Sequence, residues 1–216
     1  EPRGHLRLAL PGLFGRMWLA PLLHEFLARY PRVTIEAELS NRFVDLVGER
    51  FDLAVRLGKL DDSRLVARRV APRERLLVAS PGYLAKHGAP RTPAQLATHD
   101  CLVFVGLPDR NRWELINRAG RSERVVVRGP LACDEAEVLR EAALADHGIF
   151  LATDWLVGLD VRRGSLVRVL PRWRVVDEGA IYVVTPSGSA NASKTRAFSD
   201  FIAEHLAGPP WRVPLR

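Results

Sequence analysis

The first 58 residues alternate between two hydrophobic periods, and that alternation limits the chain to a small set of folds. Leu6-Arg7-Leu8-Ala9-Leu10 reads as a strand closed by Pro11-Gly12. Leu19, Leu22, Leu23, Phe26, Leu27 and Tyr30 then recur at steps of three and four, the apolar face of a helix that ends before Pro31. Pro21 is tolerated only near a first turn, so the regular helix is expected to start late. Val33, Ile35, Ala37 and Leu39 alternate as a second strand. Ser40-Asn41 offers an N-cap to a short helix carrying Phe43, Leu46 and Val47. Asp52 to Arg56 is a third strand, closed by Gly58. Strand, helix, strand, helix, strand implies a parallel sheet with right-handed crossovers. Ligands of such sheets sit beyond the carboxyl ends of the strands, here at Pro11–Gly15, Ser40–Arg42 and Arg56–Leu60.

The later sequence is mixed. Leu65 to Ser80 is β-prone, interrupted by Pro72, and is expected to lead into a second lobe. Short helices are expected at Pro81–Lys86 and Pro93–Thr98, with strands near Cys101–Phe104, Trp113–Ile116 and Arg124–Val127. Asp134 with Glu137 resembles a capping box ahead of Val138, Leu139, Ala142 and Ala143 on one helical face. Ile149–Leu151 and Leu166–Leu170 read as strands, with a short helix starting at Asp154–Val157 between them. Ala180–Thr185 and the face Ala197, Phe198, Phe201, Ile202, Leu206 form a last strand and helix that are free to rejoin the first lobe.

Composition narrows the function. The net charge of +7 invites a nucleic-acid reading, but residues 1–75 carry 14 basic and 10 acidic side chains, residues 76–180 carry 14 and 13, and residues 181–216 carry 4 and 2. No block of five or six like charges exists, which argues against direct DNA binding by these residues. No apolar run approaches the length of a membrane span. The opening Glu1-Pro2-Arg3-Gly4-His5 has neither the charged start nor the apolar core of a signal peptide, which favours the cytoplasm, although a mature secreted protein would also have lost its leader.

Catalytic templates fail in turn: no GxSxG, GxxxxGK[ST], HExxH or GxGxxG occurs. His99-Asp100-Cys101 brings three reactive types together, but triads are assembled by geometry, so a turn before a buried strand is the expectation. Asp61-Asp62 beside Lys59 and Arg64 reads as a solvated, charge-balanced turn. Cys101 and Cys133 are too few for a zinc site or a disulfide framework, and Cys101 reads as a small buried hydrophobe. Neither an enzyme, a metal site nor a cofactor is expected. Binding remains. Helix starts after Pro11-Gly12 and Ser40-Asn41 present backbone N–H groups and positive dipole ends, and Arg56 ends a neighbouring strand. For Arg56 two roles stand open: a charge-assisted bond to a ligand, or a pair with Asp52 or Asp61.

An ordered series of short motifs resembles the effector-binding domain of LysR-type transcriptional regulators along nearly the whole chain. Gly4-His5-Leu6-Arg7-Leu8 with Pro11, Leu19-Ala20-Pro21-Leu22-Leu23 and Tyr30-Pro31 open it. Val44-Asp45-Leu46-Val47 and Phe51-Asp52-Leu53-Ala54-Val55-Arg56-Leu57-Gly58 follow. Leu65-Val66-Ala67-Arg68, Ala79-Ser80-Pro81, His99-Asp100-Cys101-Leu102, Gly164-Ser165-Leu166-Val167 and Arg196-Ala197-Phe198 keep the register.

The resemblance implies an α/β fold of two Rossmann-like lobes with a cleft between them, similar to type II periplasmic binding proteins and joined by two crossover strands. It divides the chain into a first lobe of residues 1–73 and 178–216 and a second of 74–177. It implies a small-molecule effector in the cleft and a homodimer or homotetramer. DNA is implied to be contacted only through a winged helix-turn-helix absent from this chain, with RNA polymerase as a further partner. Carried over by position, the cleft residues are Gly12, Leu13, Ser40, Asn41, Arg56 and Gly58 from the first lobe and Phe104, Val105, Asp134 and Phe150 from the second. Relatives often have a hydroxyl residue where Gly12 stands, and Ala145-Asp146-His147-Gly148 replaces a glycine-rich turn, which is expected to place charge near the cleft. Asp134 argues against a purely acidic effector. The alternative is a periplasmic solute-binding protein of a transporter, which shares the fold.

Overall fold

The computed structural model describes residues 1–60, 65–106, 109–177 and 179–212, so Asp61, Asp62 and Arg64 lie outside the described residues. The chain divides into two units, Glu1–Arg73 with Glu178–Pro210, and Glu74–Asp177 with the segment from Trp211.

In the first unit, β1 (Gly4–Leu10) lies between β2 (Val33–Leu39) and β3 (Leu53–Gly58), both parallel to it. The last strand, β13 (Ala180–Pro186), returns between β3 and β4 (Leu65–Pro72), antiparallel to both. A strand of alternating period buries one set of side chains on each face. On one face Phe26 of α2 (Ala20–Arg29) meets Phe198 and Phe201 of α6 (Ser193–Leu206) edge-on, with ring centroids 5.0 and 5.3 Å apart. On the other, Ala9, Ala54 and Val184 pack against Val44, Leu46 and Phe51.

Two local departures from the sequence reading have clear causes. The helix begins at once after Pro11, as α1 (Gly12–Phe14), and passes through a π-helical stretch at Gly15–Leu19 before α2. The Ala20 N–H reaches back to the Gly15 carbonyl, five residues away. Pro21 has no N–H to give and its ring crowds the preceding turn, so a widened turn just before it carries the helix through. The short helix expected after Ser40-Asn41 is absent. Ser40 Oγ instead accepts from the Arg42 N–H at 3.1 Å in a local turn, and Asp45 does the capping, accepting from the N–H groups of Val47 and Gly48 at 3.1 Å each. Only one helical turn follows, ended where Arg50 takes a φ of 58°.

The second unit holds a five-stranded sheet in the order β11 (Val167–Arg168), β5 (Arg75–Ala79), β10 (Ile149–Thr153), β6 (Cys101–Phe104) and β9 (Ala132–Cys133). A smaller sheet joins β12 (Trp173–Val175), β7 (Arg112–Asn117) and β8 (Ser122–Val126). The helices are α3 (Pro81–His87), α4 (Ala136–Leu144) and α5 (Asp154–Arg163), with a 3-10 turn at Pro93–Thr98. The expected strand Leu166–Leu170 shrinks to Val167–Arg168, because Leu170 turns out of the sheet with a φ of 51°. Asp134 does not cap α4. The cap position is Glu135, whose side chain makes no capping bond, and Asp134 Oδ1 lies instead 3.8 Å from Cys133 Sγ. Among the described residues no helix is long and apolar enough to cross a membrane.

Candidate functional site

The strand ends of the first unit bring four of the expected residues together. The Ser40 N–H donates to the Leu10 carbonyl at 3.0 Å, which fixes the end of β2 beside the end of β1. The helix that follows starts at Gly12, and Pro11 gives its first turn no side-chain cap. Asn41 lies over this start: a Cβ at Gly12 would stand 2.9 Å from Asn41 Oδ1. The Asn41 carboxamide thus occupies the space into which a hydroxyl residue at position 12 would project. Leu13 is buried behind this corner, while Asn41 is exposed. Gly58 closes β3 with a φ of 114°, a conformation open to glycine and strained for other residues. The corner offers backbone dipoles and one amide, groups that hydrogen-bond a polar ligand without adding net charge.

Arg56 belongs to different surroundings. Its Nη2 donates to the Val44 carbonyl at 3.0 Å, and its guanidinium stacks 3.9 Å from the centre of the Phe43 ring. Burial pushes its pKa down. The expected partner Asp52 is engaged elsewhere, with Lys194 at 2.8 Å and the Arg7 N–H at 2.9 Å. Phe43, read from sequence as part of a helix face, is one of the most exposed apolar side chains. The loop carrying it is braced by Arg42, which bonds Glu49 at 2.6 Å and Glu38 at 2.9 Å. Glu49 first and Glu38 second hold the Arg42 pKa above its ordinary value.

In the second unit β6, β9 and β10 run parallel and β5 runs against them, so Arg75, Phe104 and Cys133 lie at one end of the sheet. Val105 is tied there by its N–H to the Cys133 carbonyl at 2.9 Å, and Asp134 is exposed beside it. Phe104 lines a cavity of about 220 Å3 together with Arg75, Arg110, Trp113 and Leu151. Sequence reasoning missed these companions, because they come from three strands and a turn spread along the chain. Phe150 faces inward and is 1% exposed, away from this surface.

Asp146 does not bring charge to that end. Ser80 Oγ donates to its Oδ1 at 2.5 Å, and the carboxylate sits against Gly82 at the start of α3, at the opposite end of the sheet from Phe104. An acid at a helix start is favourable, so this charge serves the fold.

Three comparisons place this arrangement among known proteins. Residues 1–207 match the family described as LysR substrate binding domain. The chain is 33% identical over 213 residues to the HTH-type transcriptional regulator PtxR of Pseudomonas aeruginosa, covering 99% of this chain and 68% of that protein. It is 34% identical to DmlR of Escherichia coli K12, covering 95% and 66%. The chain therefore spans about two thirds of the length of these curated relatives. Among solved structures, the regulatory domain of CrgA from Neisseria meningitidis aligns at 31% identity with a TM-score of 0.79, covering 95% of this chain and 100% of that one. Full-length AphB of Vibrio cholerae, a virulence activator, aligns at 31% identity with a TM-score of 0.80, covering 94% and 69%. These relatives are named as regulators, which does not favour the transport alternative. The mixed α/β architecture is that of the periplasmic-binding-protein-like regulatory domains. The chain belongs to the LysR substrate-binding domain family, as the effector-binding domain of a LysR-type transcriptional regulator.

Proposed function

We propose that a small polar molecule is sensed at the strand ends of the first unit, where Gly12, Leu13, Ser40, Asn41 and Gly58 contribute, and that Phe104, Val105 and Asp134 form a ligand-facing surface of the second unit. The observation that carries this reading is the meeting of Asn41 with the helix start at Gly12, where a side-chain amide and backbone dipoles share one corner. No bond is made or broken. An effector that binds one arrangement of the domain better than another shifts the population toward it.

In the full-length regulator this shift is read out by oligomer geometry, in a homodimer or homotetramer, and so by the DNA-binding parts that the names of the relatives describe. Operator DNA, with RNA polymerase beside it, is the proposed target, which places the work in the cytoplasm.

A thermal-shift screen against small carboxylates, aromatics and amino acids tests the proposal. A ligand at 100 times its dissociation constant stabilises the fold by about 2.7 kcal/mol. The expected hit is weakened by Asn41→Ala and by Gly12→Ser, whose added atoms run into Asn41. A hit indifferent to both variants places the effector elsewhere.

A further inference from the structure

Arg56, Phe43, Val44, Leu46, Leu60 and Val184 line a cavity of about 370 Å3 on the face of the first unit's sheet covered by residues 41–52. None of Gly12, Leu13, Ser40, Asn41 and Gly58 lines it, so it is separate from the strand-end corner. Its walls are apolar, and Leu46 and Val184 are closed to solvent beneath it. Among the described residues that line it, the one cation is half-buried Arg56, which spends a single described N–H on the Val44 carbonyl. Among the described residues no carboxylate pairs with that guanidinium. Asp45 also reaches the cavity, but its Oδ1 accepts from the Val47 and Gly48 N–H groups.

Two features give the cavity a chemistry. A guanidinium presents its N–H groups as a planar fork that matches a carboxylate in two parallel bonds, and its desolvation here strengthens them. Phe43 is exposed and held over Arg56 by cation–π contact, while Arg42 fixes the loop from both sides. An aromatic face beside a fork, above aliphatic walls, suits a ring bearing an acid.

We propose that this cavity is a second small-molecule site, which takes an aromatic or branched-aliphatic carboxylate, with the acid on Arg56 and the apolar part against Phe43, Val44 and Leu46. The site stands whether or not an effector is found at the strand ends.

Calorimetric titration of the 216-residue chain with phenylacetate and with the neutral phenylacetamide tests it. Phenylacetate is expected to bind at a single site, at least about ten-fold tighter than the amide. Arg56→Gln is expected to weaken phenylacetate by about ten-fold or more. Arg56→Lys keeps the charge without the fork and falls between. Phe43→Ala, at an exposed position that leaves the core intact, also weakens binding, and circular dichroism checks that each variant is folded. Asn41→Ala is expected to leave phenylacetate affinity unchanged. Equal affinity for acid and amide, binding that survives Arg56→Gln in a folded variant, or binding removed by Asn41→Ala would each overturn the proposal. So would an absence of binding by both compounds.

Discussion

Arg140 of α4 holds Asp160 of α5 through two parallel bonds, Nε to Oδ2 at 2.6 Å and Nη2 to Oδ1 at 2.7 Å. Asp160 is 3% exposed, and its backbone carbonyl ends α5 by accepting from Ser165. The bonds to Asp160 are the first cause of a raised Arg140 pKa. Removing one partner leaves a buried charge alone, whereas removing both does not. Arg140→Met is therefore expected to lower unfolding free energy by about 3–5 kcal/mol. The double variant Arg140→Met/Asp160→Leu is expected to recover most of that loss. Urea denaturation followed by circular dichroism measures both, and equal losses for single and double variants would show that the charge pair is not the cause.

His99 links stability to pH. Tyr83 Oη lies 3.1 Å from His99 Nδ1 and accepts from the Asp100 N–H at 3.0 Å, and the His87 ring stacks on Tyr83 with centroids 4.6 Å apart. Burial first and the charge of His87 second push the His99 pKa below 6.5, with Asp100 opposing. The folded state then binds this proton less readily than the unfolded chain. The contribution of His99 is present above pH 6.5 and is lost as pH falls through the depressed folded pKa. The chain is expected to lose more stability between pH 7.5 and 5.5 than His99→Gln does, by urea midpoints in matched buffers (a window set by the ordinary histidine range, roughly 6.5).

The two thiols are expected to differ in reactivity. Cys101 is fully buried, its Sγ aimed at the Leu96 carbonyl at 3.6 Å, and burial pushes its pKa up to about 12. Cys133 is partly exposed. A thiolate is the reactive form, so titration with a disulfide reagent at mild alkaline pH should modify Cys133 promptly and Cys101 only after denaturant is added. Two equally fast thiols would contradict the burial of Cys101.

Gly158 allows the chain near Trp211 to close onto α5. A Cβ at position 158 would collide with the Trp211 carbonyl oxygen, a backbone atom with little freedom to yield, and the Trp211 side chain is fully buried. Gly158→Ala is expected to cost about 1–3 kcal/mol by overpacking, despite the better helix propensity of alanine. Tryptophan fluorescence should shift toward the red if Trp211 is displaced. A variant more stable than the parent would show that α5 tolerates the extra methyl.

Much of the placement of strands and helices along the chain was legible, and the reasons are local. Leu6, Leu8 and Leu10 alternate with polar or small neighbours, and Phe26, Phe198 and Phe201 mark helix faces that bury in the expected way. The corner at Gly12 and Asn41 was also legible as a pair of strand ends, because parallel strands bring their carboxyl ends together. The partners of individual polar groups were not. Asp52 stands four residues from Arg56 but turns to Lys194, which arrives from α6. Asp134 has the spacing of a cap and does not act as one, while Asp45, not singled out for capping, is one.

Periodicity located most strands and helices, though not the loop after Ser40-Asn41 or the short extent of β11, because burying one face imposes a period of two or 3.6 that single residues cannot hide. Tertiary structure decided the insertion of β13 between β3 and β4, the stacking of Phe43 on Arg56, and the gathering of Arg75, Phe104 and Trp113 around one cavity. Those relations join residues far apart in the chain or set a loop that has no period. They follow from which backbone edges and polar groups meet once the sheets have formed, information carried by the packing and not by any local pattern.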